Sequence, residues 1–128
     1  MTEPVWLSVA MIAAIHDEQL AIHGGTPGTR DAGLLASALD RPRNKWAYES
    51  PDLAELASAY AYGIAQNHPF VDGNKRTSLL AIYTFLGLND IDFVVPEAEA
   101  AAMMIALAAG EISEESLARW VRDNLPSV

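Results

Sequence analysis

The chain has 128 residues, a formal net charge of −9 at pH 7, 51% hydrophobic residues and no cysteine. Its length and apolar content predict a single domain, residues 1–128, with a sizeable core, and they exclude global disorder. The lack of cysteine excludes disulfides, thiolate metal ligands and cysteine nucleophiles, and it fits a reducing cytoplasm. The acidic balance argues against a nucleic-acid-binding surface, and no apolar run reaches the roughly 20 residues that span a bilayer. We therefore expect a cytoplasmic protein without direct nucleic-acid or membrane partners.

Capping and turn signals predict two helices in the first third of the chain. Ser8 can cap a first helix, which the glycines at Gly24-Gly25 would end. A second helix is expected to begin near Thr29 or Asp31. It should stop before Arg41-Pro42, because proline disfavours helical geometry in the residue before it.

The middle of the chain predicts a flap and a third helix. Residues 44–49 lack a helical stripe and are expected to form a short extended flap. Ser50-Pro51 then gives a strong helix start, a capping hydroxyl followed by a proline at the first helical position. This helix should end at Asn67 or His68, because Pro69 follows, and the histidine is thereby placed on a loop.

The remaining sequence predicts three more helices and therefore an all-α fold of about six. The first begins near Gly73 or Asn74, runs to about Leu86 and is apolar nearly all round, so it is expected to be the central buried helix. Another opens at Pro96 or Glu97 and ends near residue 110. Ser113 can cap the last one.

The most informative segment is His68-Pro69-Phe70-Val71-Asp72-Gly73-Asn74-Lys75-Arg76. It places a titratable base, a carboxylate, a flexible turn and two cations directly before the apolar helix. A Gly-Asn turn that opens a helix leaves backbone N–H groups without intrahelical partners, which makes an anion site. A base, a metal ligand and an anion site side by side indicate phosphoryl chemistry. Neither a P-loop nor a protein-kinase signature is present, so another architecture would handle the phosphates.

His68 and Asp72 each have a functional and a structural interpretation. Histidine can take a proton from a hydroxyl nucleophile at neutral pH; alternatively, His68 only makes hydrogen bonds at a helix end. Asp72 can hold Mg²⁺, which proteins bind through one or two carboxylates together with phosphate oxygens. Aspartate is also an excellent N-cap, and the two roles can coexist.

The next four residues are candidates for phosphate binding. Gly73 and Asn74 allow a ligand to approach the backbone closely, although an ordinary turn uses the same pair. Lys75 and Arg76 stand in the first turn of the predicted helix, where two exposed cations oppose the helix dipole at about 0.3–1 kcal/mol each. A bound polyphosphate would turn this penalty into a gain. The alternative is that both cations only extend into solvent.

One histidine pair is a candidate metal site. His16 and His23 lie two helical turns apart, with Asp17 and Glu18 nearby. A zinc site would need closer spacing, and no His-Glu-x-x-His pattern occurs. We therefore expect no metal there.

The segment resembles the motif of the Fic/Doc family, His-Pro-Phe-x-Asp/Glu-Gly-Asn-Gly-Arg-x-x-Arg. The matching residues are His68, Pro69, Phe70, Asp72, Gly73, Asn74 and Arg76. Lys75 replaces a glycine of the motif and Leu79 replaces its second arginine, and both departures resemble the Doc (death-on-curing) toxin branch. Gly73, where Doc has alanine, is a small departure back towards ordinary Fic proteins. The likeness extends to residues 24–42 and so covers most of the chain.

The resemblance implies a Fic-like all-α fold around a central helix and gives each motif residue a role. His68 would be the general base on a target hydroxyl, and Asp72 would bind Mg²⁺. Gly73 and Asn74 would form the anion nest, and Lys75 and Arg76 would hold the phosphates of ATP. The segment 44–49 would be the flap that aligns the target peptide.

The resemblance also implies the activity of a toxin in a toxin–antitoxin pair. Doc-type proteins transfer the γ-phosphate of ATP to a threonine of elongation factor Tu and stop translation. The alternatives are AMP transfer to a protein hydroxyl, as in ordinary Fic enzymes, and a non-catalytic module that binds an antitoxin. The inhibitory sequence Ser/Thr-x-x-x-Glu-Gly/Asn of many Fic enzymes does not occur here. Control is therefore expected from a separate antitoxin. Trp46 and Tyr48 could help to receive it, and packing of the flap explains these two residues equally well.

Overall fold

The computed structural model describes residues 2–126 and contains helices but no strand in that range. The six helices are α1 (Val9–His23), α2 (Ala32–Tyr48), α3 (Leu53–Asn67), α4 (Asn74–Leu88), α5 (Glu97–Ala108) and α6 (Glu114–Asp123). The prediction of an all-α, Fic-like bundle of about six helices is confirmed.

Local capping explains where several helices begin. Ser8 caps α1 and Ser113 caps α6, as predicted, each by accepting a backbone N–H bond. The start of α3 lies slightly later than Ser50-Pro51, because Asp52 and Glu55 form a capping box. Each side chain of that box accepts a backbone N–H bond from the other residue, so two unpaired donors are satisfied together.

The second helix is longer than the sequence predicts. α2 continues through Pro42 to Tyr48. The predicted end before Arg41-Pro42 and the predicted extended flap at residues 44–49 are therefore wrong. The preference of a residue that precedes proline is local, and contacts with distant parts of the chain override it here.

Those distant contacts hold the second half of α2. Arg41 and Lys45 both form ion pairs with Glu114 of α6. Trp46 packs edge-to-face on Trp6, with 6.3 Å between the ring centroids. These partners are all distant in sequence from Pro42, so the residues around Pro42 do not predict the contacts.

The central helix is α3, and the prediction that α4 would be central is wrong. α3 contacts α2, α4, α5 and α6, and it buries nine residues where α4 buries seven. Its small residues permit this position: a Cβ added at Gly63 would lie only 3.1 Å from the Cα and carbonyl oxygen of Ala38 in α2. α4 packs against α1, α3 and α5 and extends past Gly87 to Leu88.

The bundle brings two connections together. Residues 24–31, between α1 and α2, lie alongside residues 68–73, between α3 and α4, through a single antiparallel bridge of Thr29 with Phe70. Val71 N–H donates to the carbonyl of Gly28 over 3.0 Å. The motif loop is therefore fixed by a segment 40 residues away in sequence. Among the described residues, no helix has the length and apolar character needed to cross a membrane.

We expect Asp52→Ala to lower the free energy of unfolding by about 1 kcal/mol, because α3 loses its N-cap. Asp52→Asn is the matched control: asparagine can still cap the helix, and only the exposed ion pair with Arg122 is lost, a change of about 0.5 kcal/mol or less. Urea unfolding of the three proteins measures both differences. Equal losses in the two variants would contradict the capping assignment.

The cost of Asp52→Ala should also depend on pH. Burial raises the pKa of Asp52, but hydrogen bonds from Arg122 and from the Glu55 N–H outweigh it and hold the pKa below its ordinary value of 3.8. A carboxylate with a lowered pKa stabilises the fold above the unfolded-state pKa and loses this effect as the pH falls through the folded-state value. The stability difference between wild type and Asp52→Ala should therefore shrink between pH 6 and about pH 3.

Candidate functional site

The site begins where α3 ends. His68 adopts the left-handed conformation, with φ 51° and ψ 55°, and its N–H donates to the carbonyl of Ile64 over 3.0 Å. Such angles are uncommon for a residue other than glycine and cost roughly 1–3 kcal/mol. They stop the helix and leave the His68 side chain exposed at a cleft.

Arg30 holds this strained turn in place. Its Nε donates to the His68 carbonyl and its Nη2 to the Asn67 carbonyl, both over 2.7 Å. The backbone N–H groups of Arg30 and Asp31 both donate to the carbonyl of Pro69, over 2.7 and 3.0 Å. Arg30 could not be predicted as part of the site from the sequence, because its partners lie almost 40 residues further along the chain.

His16 supports the same loop from α1. Its ring stacks on Phe70 with 3.8 Å between centroids and an angle of 8° between the planes. Its Nε2 lies 2.8 Å from the backbone oxygen of Asp72, and because a carbonyl only accepts, Nε2 carries the proton and donates. His16 is 2% exposed. It therefore acts as a buried support for Asp72 and does not pair with His23.

Asp72 is exposed, and both of its carboxylate oxygens accept backbone hydrogen bonds. Oδ2 accepts from Thr26 N–H over 3.1 Å and Oδ1 from Gly73 N–H over 2.8 Å. The bond from Thr26 has the larger effect and that from Gly73 the next, and together they lower the pKa of Asp72 below its ordinary value. Gly73, with φ 79°, is the N-cap residue of α4, so the N-cap alternative for Asp72 is wrong.

The start of α4 offers unpaired backbone donors. No side chain caps this helix, and the N–H groups of its first residues, Asn74 to Arg76, have no intrahelical acceptor. The Asn74 side chain is 5% exposed and is bonded twice to the backbone of Phe70, over 3.0 and 2.9 Å. Asn74 therefore shapes the loop with its side chain and offers its backbone N–H to the cleft.

Lys75 and Arg76 follow on the first turn, and both are exposed. Neither forms an ion pair with another residue in the range 2–126. No acidic residue stands in the first turn of α4 to offset their repulsion with the positive end of the helix dipole. The arrangement concentrates unpaired positive charge at one helix terminus of an acidic protein.

These groups share one cleft of about 620 Å³ between the motif loop and α5. Its lining includes the predicted site residues His68, Asp72, Gly73, Asn74, Lys75 and Arg76, together with the apolar Leu79, Ala101, Met104 and Ile105 and the acidic Glu97. The structure thus brings all the predicted site residues together. A lining that combines cations, backbone donors and apolar side chains suits a ligand that has both an anionic part and an apolar part.

The donor set also bears on Mg²⁺. Asp72 is an exposed carboxylate in the cleft, and its lowered pKa keeps it ionised at neutral pH. Residues 2–126 contain no group of three or more His, Asp or Glu side chains that could hold a metal by themselves. One carboxylate fits an ion that takes its remaining ligands from phosphate oxygens and water, as Mg²⁺ commonly does.

Comparison with known proteins agrees with this geometry. A family model described as Fic/DOC family matches residues 6–86. The chain is 35% identical over 117 residues to "Protein kinase doc" of Escherichia phage P1, covering 91% of this chain and 92% of that protein. The chain belongs to the Fic/Doc family. It is also 42% identical over 82 residues to "Toxin Doc" of Mycolicibacterium smegmatis (strain ATCC 700084 / mc(2)155), covering 59% of this chain and 63% of that protein. The predicted Doc branch is thereby confirmed.

At two positions this site differs from the Fic motif or from Doc. Leu79 stands where the family motif has its second arginine, and it contributes apolar surface to the cleft. At Gly73 an added Cβ would lie 2.0 Å from Nε2 of Gln19, a residue of α1 that is 3% exposed. The Gln19 carboxamide thus occupies the space that an alanine side chain would need.

We expect Gly73→Ala to lower the free energy of unfolding by about 1–2 kcal/mol, because alanine is strained at φ 79° and its Cβ meets Gln19. In a Gln19→Ala background the contact is absent, and only the strain should remain. Urea unfolding of the four proteins in this cycle should give a coupling of at least about 0.5 kcal/mol. Additive losses would show that the two side chains do not compete for space.

We expect Arg30→Met to release the motif loop, because the carbonyls of Asn67 and His68 lose a charged donor. Hydrogen exchange of the amides of residues 68–73 should become faster, and stability should fall by about 1–2 kcal/mol. Arg119→Met is the matched control: Arg119 is exposed, and a surface change of this kind alters stability by about 0.5 kcal/mol or less. Unchanged exchange at residues 68–73 in Arg30→Met would show that the Arg30 side chain does not hold the motif loop in place.

Proposed function

We propose that this chain is the toxin of a toxin–antitoxin pair and that it transfers the γ-phosphate of ATP to a hydroxyl of a protein target in the cytoplasm. By resemblance the target is a threonine of elongation factor Tu, and the modification arrests translation. The observation that carries the proposal is the cleft in which His68 stands beside the uncapped start of α4 and two unpaired cations. The printed names of the two relatives, a protein kinase and a toxin, support the same class of activity.

The chain's own groups suffice to describe the transfer. The first-turn N–H groups of α4, with Lys75 and Arg76, hold the phosphate oxygens of ATP. His68 takes the proton of the target hydroxyl, whose oxygen forms a bond to the γ-phosphorus. The bond from that phosphorus to the bridging oxygen of ADP breaks, and ADP leaves with the electron pair. Asp72 would hold a Mg²⁺ ion, which supplies charge neutralisation for the phosphates.

AMP transfer is the rival reaction, and the cleft itself weighs against it. The second arginine of the Fic motif would clamp the outer phosphates and leave the α-phosphate at the base. Here that position is Leu79, half-buried and uncharged. Lys75, in place of a motif glycine, adds bulk and charge at the nest. Both changes favour a pose in which the γ-phosphate lies near His68.

The proposed partner is an antitoxin whose disordered segment folds onto the toxin. Tyr48 at the end of α2 is 87% exposed, and Ile105 beside the cleft is 60% exposed, so apolar surface is available to receive such a segment. Trp46, also considered for this role, is half-buried against the core and contributes less. A non-catalytic module that only binds an antitoxin would need this surface but not His68.

We expect His68→Ala to reduce phosphate transfer by at least about 10²-fold, because the general base is removed. The same variant should no longer arrest growth, while its ATP affinity should stay within about threefold of wild type, since His68 is not assigned to phosphate binding. Growth arrest by folded His68→Ala protein would favour the non-catalytic alternative.

We further expect label from γ-labelled ATP, and none from α-labelled ATP, to reach the target protein. Intact-mass analysis of elongation factor Tu after incubation with the chain, ATP and Mg²⁺ gives an independent reading, since phosphate and AMP add different masses. Transfer of the α-label would establish AMP transfer and overturn the kinase proposal.

A further inference from the structure

We propose that the side-chain carboxamide of Gln19 is a nucleotide ligand of this cleft and donates a hydrogen bond to a phosphate oxygen held over Gly73. The inference rests on the proposed function and adds a binding residue from α1, outside the motif.

The first observation is that the Gln19 amide is buried without a partner. Gln19 is 3% exposed, and its Nε2 makes no hydrogen bond within the described part of the chain. A buried donor without an acceptor is destabilising, so such a group in a folded protein calls for an explanation. One explanation is a ligand that supplies the missing acceptor.

The second observation is where this amide lies. Two other buried side-chain oxygens in residues 2–126 also lack a partner, Ser58 Oγ and Thr77 Oγ1, but neither of those residues lines the cleft. Gln19 does line it, and its Nε2 lies 2.0 Å from the position of a Cβ at Gly73. The unpaired donor is therefore beside the N-cap residue of α4, where the helix presents its own unpaired N–H groups.

The surroundings indicate an anion as the missing acceptor. The neighbouring groups at this end of the cleft are the first-turn N–H donors of α4, the cations Lys75 and Arg76, and the carboxylate of Asp72, whose two oxygens already accept backbone N–H bonds. A carboxamide contributes two further N–H donors without adding charge. Nε2 of Gln19 has no partner among the described residues, so a phosphate oxygen would give it an acceptor without displacing another one.

The test measures ATP affinity in the presence of Mg²⁺ by calorimetry. Gln19→Met removes the donors while it nearly preserves length and shape, and it should raise the Kd for ATP about tenfold. Its melting temperature without nucleotide should be equal to or above that of wild type, because an unpaired buried amide is removed. Gln66→Met is the matched control, the same change at an exposed position on α3, and should leave the Kd within twofold.

A second variant guards against a folding defect in the first. Gln19→Glu keeps the size of the side chain but replaces the donor with a carboxylate oxygen, so it should weaken ATP binding by more than tenfold. ATP affinity within twofold of wild type in folded Gln19→Met or Gln19→Glu protein would overturn the inference. In that case wild-type binding and transfer would still support the proposed function, whereas a wild type that does not bind ATP would overturn both.

Discussion

The site depends on how the chain turns between α3 and α4. His68 and Gly73, at the two ends of the connecting loop, both adopt left-handed backbone angles. The first ends α3 abruptly, and the second starts α4 without a side-chain cap. A loop with this shape costs free energy wherever its left-handed residue is not glycine. It persists because Arg30 holds its carbonyls on one side and His16 holds Phe70 and Asp72 on the other.

This rigid turn has an electrostatic consequence. A protein with a net charge of −9 would repel a nucleotide from most of its surface. The uncapped N-terminus of α4, with Lys75 and Arg76 on its first turn, supplies positive charge to a cleft that Asp72 and Glu97 also line. The acidic groups that line the same cleft include Asp72, whose oxygens accept backbone N–H bonds from Thr26 and Gly73. Groups that favour a polyanion are therefore concentrated at the start of α4.

The parts of this structure that sequence predicts well are those set by near neighbours. Ser8 and Ser113 cap helices because each needs only a backbone N–H three residues ahead. The motif could be placed at the end of one helix and the start of the next for the same reason, since proline and glycine act on adjacent residues. The end of α2 could not be predicted, because its second half is held by contacts with Glu114 and Trp6, which are distant in sequence.

The central position of α3 escaped prediction for a related reason. The apolar run in α4 predicted a helix that is buried on all sides. However, neighbouring helices can pack closely on every side only of a helix with small side chains, and here that helix is α3. Gly63 lets the backbone of α2 come within van der Waals distance of α3, and its contribution is the absence of a side chain, which hydropathy does not register. His16, Gln19 and Arg30 were missed as parts of the site because their partners lie 37 or more residues away in sequence.

The side chains around the motif loop bear on how one motif can serve different reactions. The donors at the start of α4 are mostly backbone N–H groups, and any sequence that forms the turn supplies them. They can hold phosphate but cannot by themselves select which phosphate of a nucleotide lies beside His68. Under the proposed function, that selection would come from side chains around the nest, among them Lys75, Leu79 and the carboxamide of Gln19. Because Gln19 occupies the space beside Gly73, a change at either position alters the room above the helix terminus.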